Sequence, residues 1–288
     1  MLLVSNAPAE GKKLSEKLGA EFCGIEEREY PDTERACLAG EFAGRTADII
    51  HFLFNRKRSF DDQLFNLLCL LEAFANKDTT RLVLPYLPYC RSLPAPQGEI
   101  DKFAMLFNEL NAHVGDIFIV APHVSVEKIR TYAKRENIFP IDIDAQIIAH
   151  IKKFGDNLML VSPDKGFSET VKRLSEKSGI DYIVLAKKRV SPEKVSTESD
   201  DAMTEKILAN KDKKFIIIDD IVSTGNTLVK TTGYLQFRGA ADTQCVTIHN
   251  TCPDSVKCEI IVASSNSLIG AHATAFDITE SIYQALKK

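Results

Sequence analysis

The stretch Lys213-Lys214-Phe215-Ile216-Ile217-Ile218-Asp219-Asp220-Ile221-Val222-Ser223-Thr224-Gly225-Asn226-Thr227 constrains the fold more than any other part of this chain. Phe215 to Ile218 is a short, continuous apolar run rich in β-branched residues, which predicts a central parallel strand buried on both faces. It delivers Asp219 and Asp220 to its C-terminal edge, where open α/β sheets bind ligands. A polar turn containing Gly225 then opens a helix. Free backbone N–H groups at such a turn bind phosphate without a lysine. Ser223, Thr224 and Thr227 can add hydroxyl donors, and the two aspartates can accept from adjacent sugar hydroxyls. Ser-Thr-Gly-Asn-Thr by itself is also an ordinary helix cap. The apolar strand, the paired acids and the glycine turn together favour a ligand site. The segment is neither the glycine-rich dinucleotide fingerprint nor the pattern ending in Gly-Lys-Ser/Thr, so a sugar phosphate is the expected ligand.

The rest of the chain alternates short apolar runs with helical patterns. Strands are expected over 2–5, 48–54, 81–85, 116–120, 157–161, 182–185, 215–218, 244–248, 260–262 and 272–276. Helices are expected over 12–18, 61–75, 100–110, 126–135, 145–153, 168–177, 227–237 and 278–286. The clearest helix carries Phe60, Leu64, Leu67, Leu68, Leu71 and Phe74 on one face, with Ser59 as N-cap and Asp61 and Asp62 at its positive end. Residues 85–98 hold four prolines and two tyrosines and read as an irregular loop, and residues 187–201 as an exposed polar one. This rhythm predicts an α/β protein with mainly parallel sheets flanked by helices, divided into domains 1–144 and 145–288.

Bulk properties set the class. At 288 residues, 44% hydrophobic and 26% charged, the chain is long enough for two ordinary globular domains. A net charge of -4 gives no support for nucleic-acid binding. The seven cysteines are dispersed, without a Cys-x-x-Cys pair, and read as reduced residues of a cytoplasmic protein. No secretory signal is evident and no apolar run is long enough to cross a bilayer, so no membrane partner is expected.

The Asp219-to-Thr227 segment resembles the ribose-binding motif of type I phosphoribosyltransferases, and nearly the whole chain is similar to the ribose-phosphate pyrophosphokinase family. That resemblance implies two similar phosphoribosyltransferase-like domains. It also implies transfer of a diphosphoryl group from ATP to ribose 5-phosphate with Mg2+, in a homo-oligomer built from dimers. Ribose 5-phosphate would lie at Asp219, Asp220, Ser223, Thr224, Gly225, Asn226 and Thr227. Tyr30-Pro31-Asp32-Thr33-Glu34 resembles the segment that approaches adenine from a neighbouring subunit: Tyr30 against the ring, Asp32 and Glu34 accepting from its amino group. Within Tyr86-Leu87-Pro88-Tyr89-Cys90-Arg91-Ser92, Arg91 would touch ATP phosphate. His123 of Ala121-Pro122-His123 and Asp164 of Ser162-Pro163-Asp164-Lys165-Gly166-Phe167 would associate with the metal. Lys187-Lys188-Arg189 resembles the start of a catalytic loop, with Lys187, Arg189 and His123 as catalytic groups.

Taken without the resemblance, these pieces read as a surface turn, a proline-stiffened loop, a strand-end histidine, a polar turn and a solvated basic run. The chain also departs from the family at Ser92, Leu93, Ala121 and Phe167, where the family commonly has glutamine, a polar or acidic residue, aspartate and glycine. A synthetase-like regulatory subunit and a salvage phosphoribosyltransferase are therefore the alternatives.

Overall fold

The computed structural model describes residues 1–54, 58–185, 198–252, 262–265 and 273–287. It comprises two units, one formed by Met1–Ile143 with Asp277–Lys288 and the other by Asp144–Phe276. The C-terminal helix thus belongs with the first unit rather than with the residues that precede it.

In the first unit β1 (Leu2–Ser5), α1 (Pro8–Leu18) and β2 (Glu21–Gly24) lead to a hairpin of β3 (Glu26–Glu29) and β4 (Arg35–Leu38). There follow β5 (Ile49–His51), α2 (Phe60–Phe74), β6 (Arg81–Leu84), α3 (Lys102–His113), β7 (Asp116–Val120), α4 (Val126–Ala133) and β8 (Ile138–Ile141). Among the described residues its sheet has six strands in the order β2-β1-β5-β6-β7-β8, and neighbours run parallel. Ser59 Oγ accepts the Asp62 N–H at 3.1 Å and starts α2, whose Leu64, Leu67, Leu71 and Phe74 are buried. Helical spacing and a helix N-cap are enough to produce that element.

The second unit opens with α5 (Asp144–Ile151), β9 (Leu158–Ser162), α6 (Ser168–Ser178), β10 (Tyr182–Val184) and α7 (Glu198–Ala209). It continues with β11 (Lys214–Val222), α8 (Asn226–Phe237), β12 (Asp242–Asn250), β13 (Val262–Ser265) and β14 (Ala273–Phe276); α9 (Thr279–Leu286) ends the chain in the first unit. Its sheet again has six strands among the described residues, ordered β10-β9-β11-β12-β13-β14 with parallel neighbours. Both sheets are of the parallel, helix-flanked kind the sequence predicts.

Phe215, Ile216, Ile217 and Ile218 are each 0% exposed in β11. Full burial of side chains of this size stabilises by about 1.5–3 kcal/mol each. Phe215 and Ile217 pack with Met159, Val161, Ile183, Ile207, Leu228 and Leu235, joining β9, β10, α7 and α8 into one core.

A buried acid ties α5 to α6. Asp144 takes the Arg173 guanidinium at 2.7 and 3.1 Å and the Lys177 ammonium at 2.7 Å. Burial alone would push the Asp144 carboxyl up, but the Arg173 and Lys177 bonds outweigh it and hold the group below its usual range. The Asp144 side chain is 5% exposed, against 49% for Arg173 and 45% for Lys177, so both cations regain water if the acid is removed. Asp144→Ala should therefore cost about 2 kcal/mol in urea unfolding at pH 7, less than the loss of a partner from a wholly buried pair. The folded carboxyl titrates below its unfolded value of 3.8, so the contribution is present above that pH and fades as the acid protonates below it. The two proteins should converge as pH falls below that value; an unchanged gap there would remove the ion-pair account.

Candidate active site

The central position of β11 fixes where its acids emerge. In register, Ile217 stands beside Val161 of β9 and Cys245 of β12, and two residues later Asp219 stands beside Thr247. Asp219 and Asp220 are half-buried at the C-terminal end of the strand. Asp219 Oδ1 accepts the Asp220 N–H at 3.0 Å, and Asp220 Oδ1 accepts the Ile221 N–H at 2.7 Å.

The turn that follows is held at its base by a residue sequence reasoning did not single out. Thr251, just beyond β12, donates its backbone N–H at 2.7 Å and its hydroxyl at 3.1 Å to the Val222 carbonyl. Its only sequence signal is its place after a strand parallel to β11. Gly225 then takes φ +75° as the residue before α8, a left-handed conformation that favours glycine. Thr224 Oγ1 accepts the Asn226 N–H at 3.4 Å. Ser223 and Thr227 are half-buried, while Thr224 and Asn226 are exposed. The turn therefore combines hydroxyls, a glycine backbone and the positive end of a helix beside two acids, a combination suited to a phosphate with neighbouring hydroxyls.

Asp164 joins this set from β9. Its Oδ1 accepts the Gly166 N–H at 2.9 Å, and Ser162 Oγ donates to its carbonyl at 2.7 Å. A side chain at Gly166 would meet Asp164 Oδ1 at 3.1 Å, so glycine gives the carboxylate room to fold over the turn. Phe167 has φ −107°, a conformation open to any residue, so its bulk imposes no backbone strain. Burial, then the charges of Asp220 and Asp164, push the Asp219 carboxyl up to about 7.

Tyr30, Asp32, Glu34, Arg91 and His123 lie in the first unit. Tyr30, Asp32 and Glu34 share the exposed tip of the β3–β4 hairpin. The tip is closed by Tyr30 N–H to Glu34 O at 2.8 Å and Thr33 N–H to Tyr30 O at 2.9 Å, and Asp32 Oδ1 accepts the Glu34 N–H at 3.2 Å. Arg91 is exposed on a loop whose Tyr86, Leu87, Cys90 and Leu93 are buried. Tyr89 on that loop takes φ +63° and its hydroxyl donates to Asp61 at 2.6 Å. His123 is exposed just past β7, after Ala121 at φ +36°. Lys187 and Arg189 lie outside the described residues. Among the described residues no three His, Cys, Asp or Glu side chains are grouped to hold a metal ion, and no helix is long and apolar enough to cross a membrane.

Residues 135–259 match the phosphoribosyl transferase domain family. The chain is 28% identical over 245 residues to a ribose-phosphate pyrophosphokinase of Pyrococcus abyssi, covering 83% of this chain and 81% of that protein. It is 26% identical over 274 residues to one of Methanobrevibacter smithii, covering 92% and 90%. The phosphoribosylpyrophosphate synthetase of Mycobacterium smegmatis shares the fold, with a TM-score of 0.72 at 17% identity over 100% of this chain and 97% of that one. Relatives of one kind align with most of the chain and a solved synthetase shares its fold over the full length, so the chain is similar throughout to ribose-phosphate pyrophosphokinases, with residues 135–259 matching the phosphoribosyl transferase domain.

Proposed function

We propose that this protein is a ribose-phosphate diphosphokinase, which moves the β,γ-diphosphoryl group of ATP to the anomeric hydroxyl of ribose 5-phosphate and yields phosphoribosyl diphosphate and AMP. The observation that carries this reading is the C-terminal edge of β11, where Asp219, Asp220 and the Ser223-to-Thr227 turn offer acceptors for sugar hydroxyls beside donors for a phosphate.

The reaction asks the protein mainly for position and charge. The anomeric hydroxyl gives its proton to water as its oxygen bonds to the β-phosphorus, the bond from that phosphorus to the α–β bridging oxygen breaks, and AMP leaves with the electron pair. Asp219 and Asp220 orient the ribose, and Ser223, Thr224, Gly225, Asn226 and Thr227 anchor its 5-phosphate. Arg91 and, from a neighbouring subunit of a homo-oligomer built from dimers, Tyr30, Asp32 and Glu34 place ATP. Lys187 and Arg189 meet the charge that develops on the transferring group. The two are not interchangeable, because arginine offers a planar fork and lysine a compact charge.

The donor set suits Mg2+. Carboxylates are hard oxygen donors, and burial with the charges of Asp220 and Asp164 raises the proton affinity of Asp219. Mg2+ commonly takes one or two carboxylates and fills its remaining positions with water and substrate phosphate oxygens. Asp164 is the residue of the second unit that would hold it. When bound, the ion neutralises phosphate charge as the diphosphoryl group transfers. A catalytically weak regulatory subunit is the second reading, favoured by Ala121, which stands in a left-handed conformation that the family's aspartate adopts more readily.

Purified protein given ATP, ribose 5-phosphate and Mg2+ should release AMP and phosphoribosyl diphosphate in equal amounts, and chelating the metal should stop it. Binding of both substrates without turnover would select the regulatory reading. Lys187→Ala should lose roughly 3–4 kcal/mol of transition-state stabilisation, read in kcat, with ribose 5-phosphate affinity little changed; equal losses in both would remove its catalytic role.

Asp219 also gives the free protein a pH signature. Its folded value of about 7 exceeds its unfolded 3.8, so the folded state holds the extra proton between them and stability falls as pH rises through that window. Each unit of separation corresponds to about 1.4 kcal/mol. Asp219→Asn should melt above wild type at pH 8.5 without Mg2+, and the two curves should meet near pH 4. A difference independent of pH would show that repulsion among the acids is not its source.

A further inference from the structure

One row of side chains across the second sheet is polar where the preceding row is apolar. Val161, Ile217 and Cys245 stand opposite one another on β9, β11 and β12 and pack under Leu228 and Leu235 of α8. Two residues further along, and so on the same face, Asp219 stands opposite Thr247 and Thr247 opposite Ser264. Thr247 is 0% exposed, and its hydroxyl has no hydrogen-bond partner among the described residues. Native proteins leave few buried hydroxyls unpaired, because each one is destabilising. Ser264 is already engaged with another group. On the other side the group in register is the Asp219 carboxyl.

We propose that Thr247 is a positioning residue for the sugar site: its hydroxyl pairs with the Asp219 carboxyl and holds that acid in the orientation that meets the ribose hydroxyls. This rests on the function proposed above, since it gives Asp219 a sugar to orient. A threonine hydroxyl both donates and accepts, so it serves the acid in either protonation state. Rotation between staggered χ1 positions swings the hydroxyl without moving the strand. Asp219 Oδ1 is already tethered by the Asp220 N–H at 3.0 Å, so a bond from β12 would fix the carboxyl from a second direction. Valine fills the same volume and offers neither half of the bond.

The test compares Thr247→Val and Thr247→Ser with wild type. Ribose 5-phosphate affinity by calorimetry should weaken about tenfold in Thr247→Val, the loss of one hydrogen bond to a charged group, with the kinetic loss falling mainly on KM. Thr247→Ser should restore most of it. Valine keeps the volume of threonine, so the fold should persist, and weaker binding by a fully folded variant separates positioning from packing. Affinity equal to wild type in Thr247→Val, or no recovery with serine, would overturn the proposal. If wild type itself binds no ribose 5-phosphate, the proposed function fails and a double-mutant cycle still decides the pair. At pH 8.5, unfolding of Thr247→Val, Asp219→Asn and the double variant would then be non-additive if the two groups interact; additivity would overturn the pairing.

Discussion

Like charges gathered at the end of a buried strand govern the second unit. Phe215 to Ile218 can be covered only in the middle of a sheet, so β11 lies between β9 and β12. Once that register is set, Asp219 and Asp220 have no other place to emerge, and β9 brings Asp164 near enough for its charge to act on Asp219. Burial and two other acids oppose ionisation of Asp219, and only the Asp220 N–H bonded to its carboxylate counters them among the described residues. An arrangement of this kind is destabilising without a ligand and is relieved by one that carries hydroxyls or a cation. The fold and the chemistry thus follow from the same four apolar residues.

How much of this was legible in the sequence varies with how far each element depends on local pattern. β11, α2, β7 and α8 carry their own signals: an apolar run, a helical stripe with its cap, or a glycine before a helix. β3 and β4 do not. Glu26-Glu27-Arg28-Glu29 offers no apolar alternation, and the hairpin is recognised only through its pairing with Arg35–Leu38. β8 contains Pro140, which argues against a strand, yet it lies at the end of its sheet, where proline is tolerated. The helix Glu198–Ala209 begins inside the 187–201 stretch expected as a polar loop, and its charged first turn gives no sign of Ile207, which joins the core. The site shows the same division. The residues from Asp219 to Thr227 are contiguous and were readable as a unit. Thr247 lies in the neighbouring strand β12 and Thr251 just beyond it, and no single stretch of sequence reveals such neighbours.

The family departures acquire separate physical meanings. Leu93 is buried beside the other apolar anchors of its loop, so the loss of a polar residue there is matched by packing. Phe167 adopts a backbone conformation that any residue can take. Ala121 is different. It carries φ +36° without the side-chain hydrogen bonding that eases aspartate into that region. Of the three, it is the one whose local conformation suits the family residue better than its own.

Stability and function therefore pull apart at this sheet edge. The charges of Asp164 and Asp220 acting on Asp219, and a buried hydroxyl without a partner among the described residues, would each be relieved by an apolar or amide replacement. The clamp of Asp144 on Arg173 and Lys177 lies on the same helix α6 that begins after the Asp164 turn, and the apolar core joins α8 to β11. These contacts supply rigidity around groups that would otherwise move apart. A site held in an unfavourable state by a well-packed surround binds its ligand without first having to assemble. That is the property a diphosphoryl transfer needs most, because its rate depends on where charged groups stand before the reaction begins.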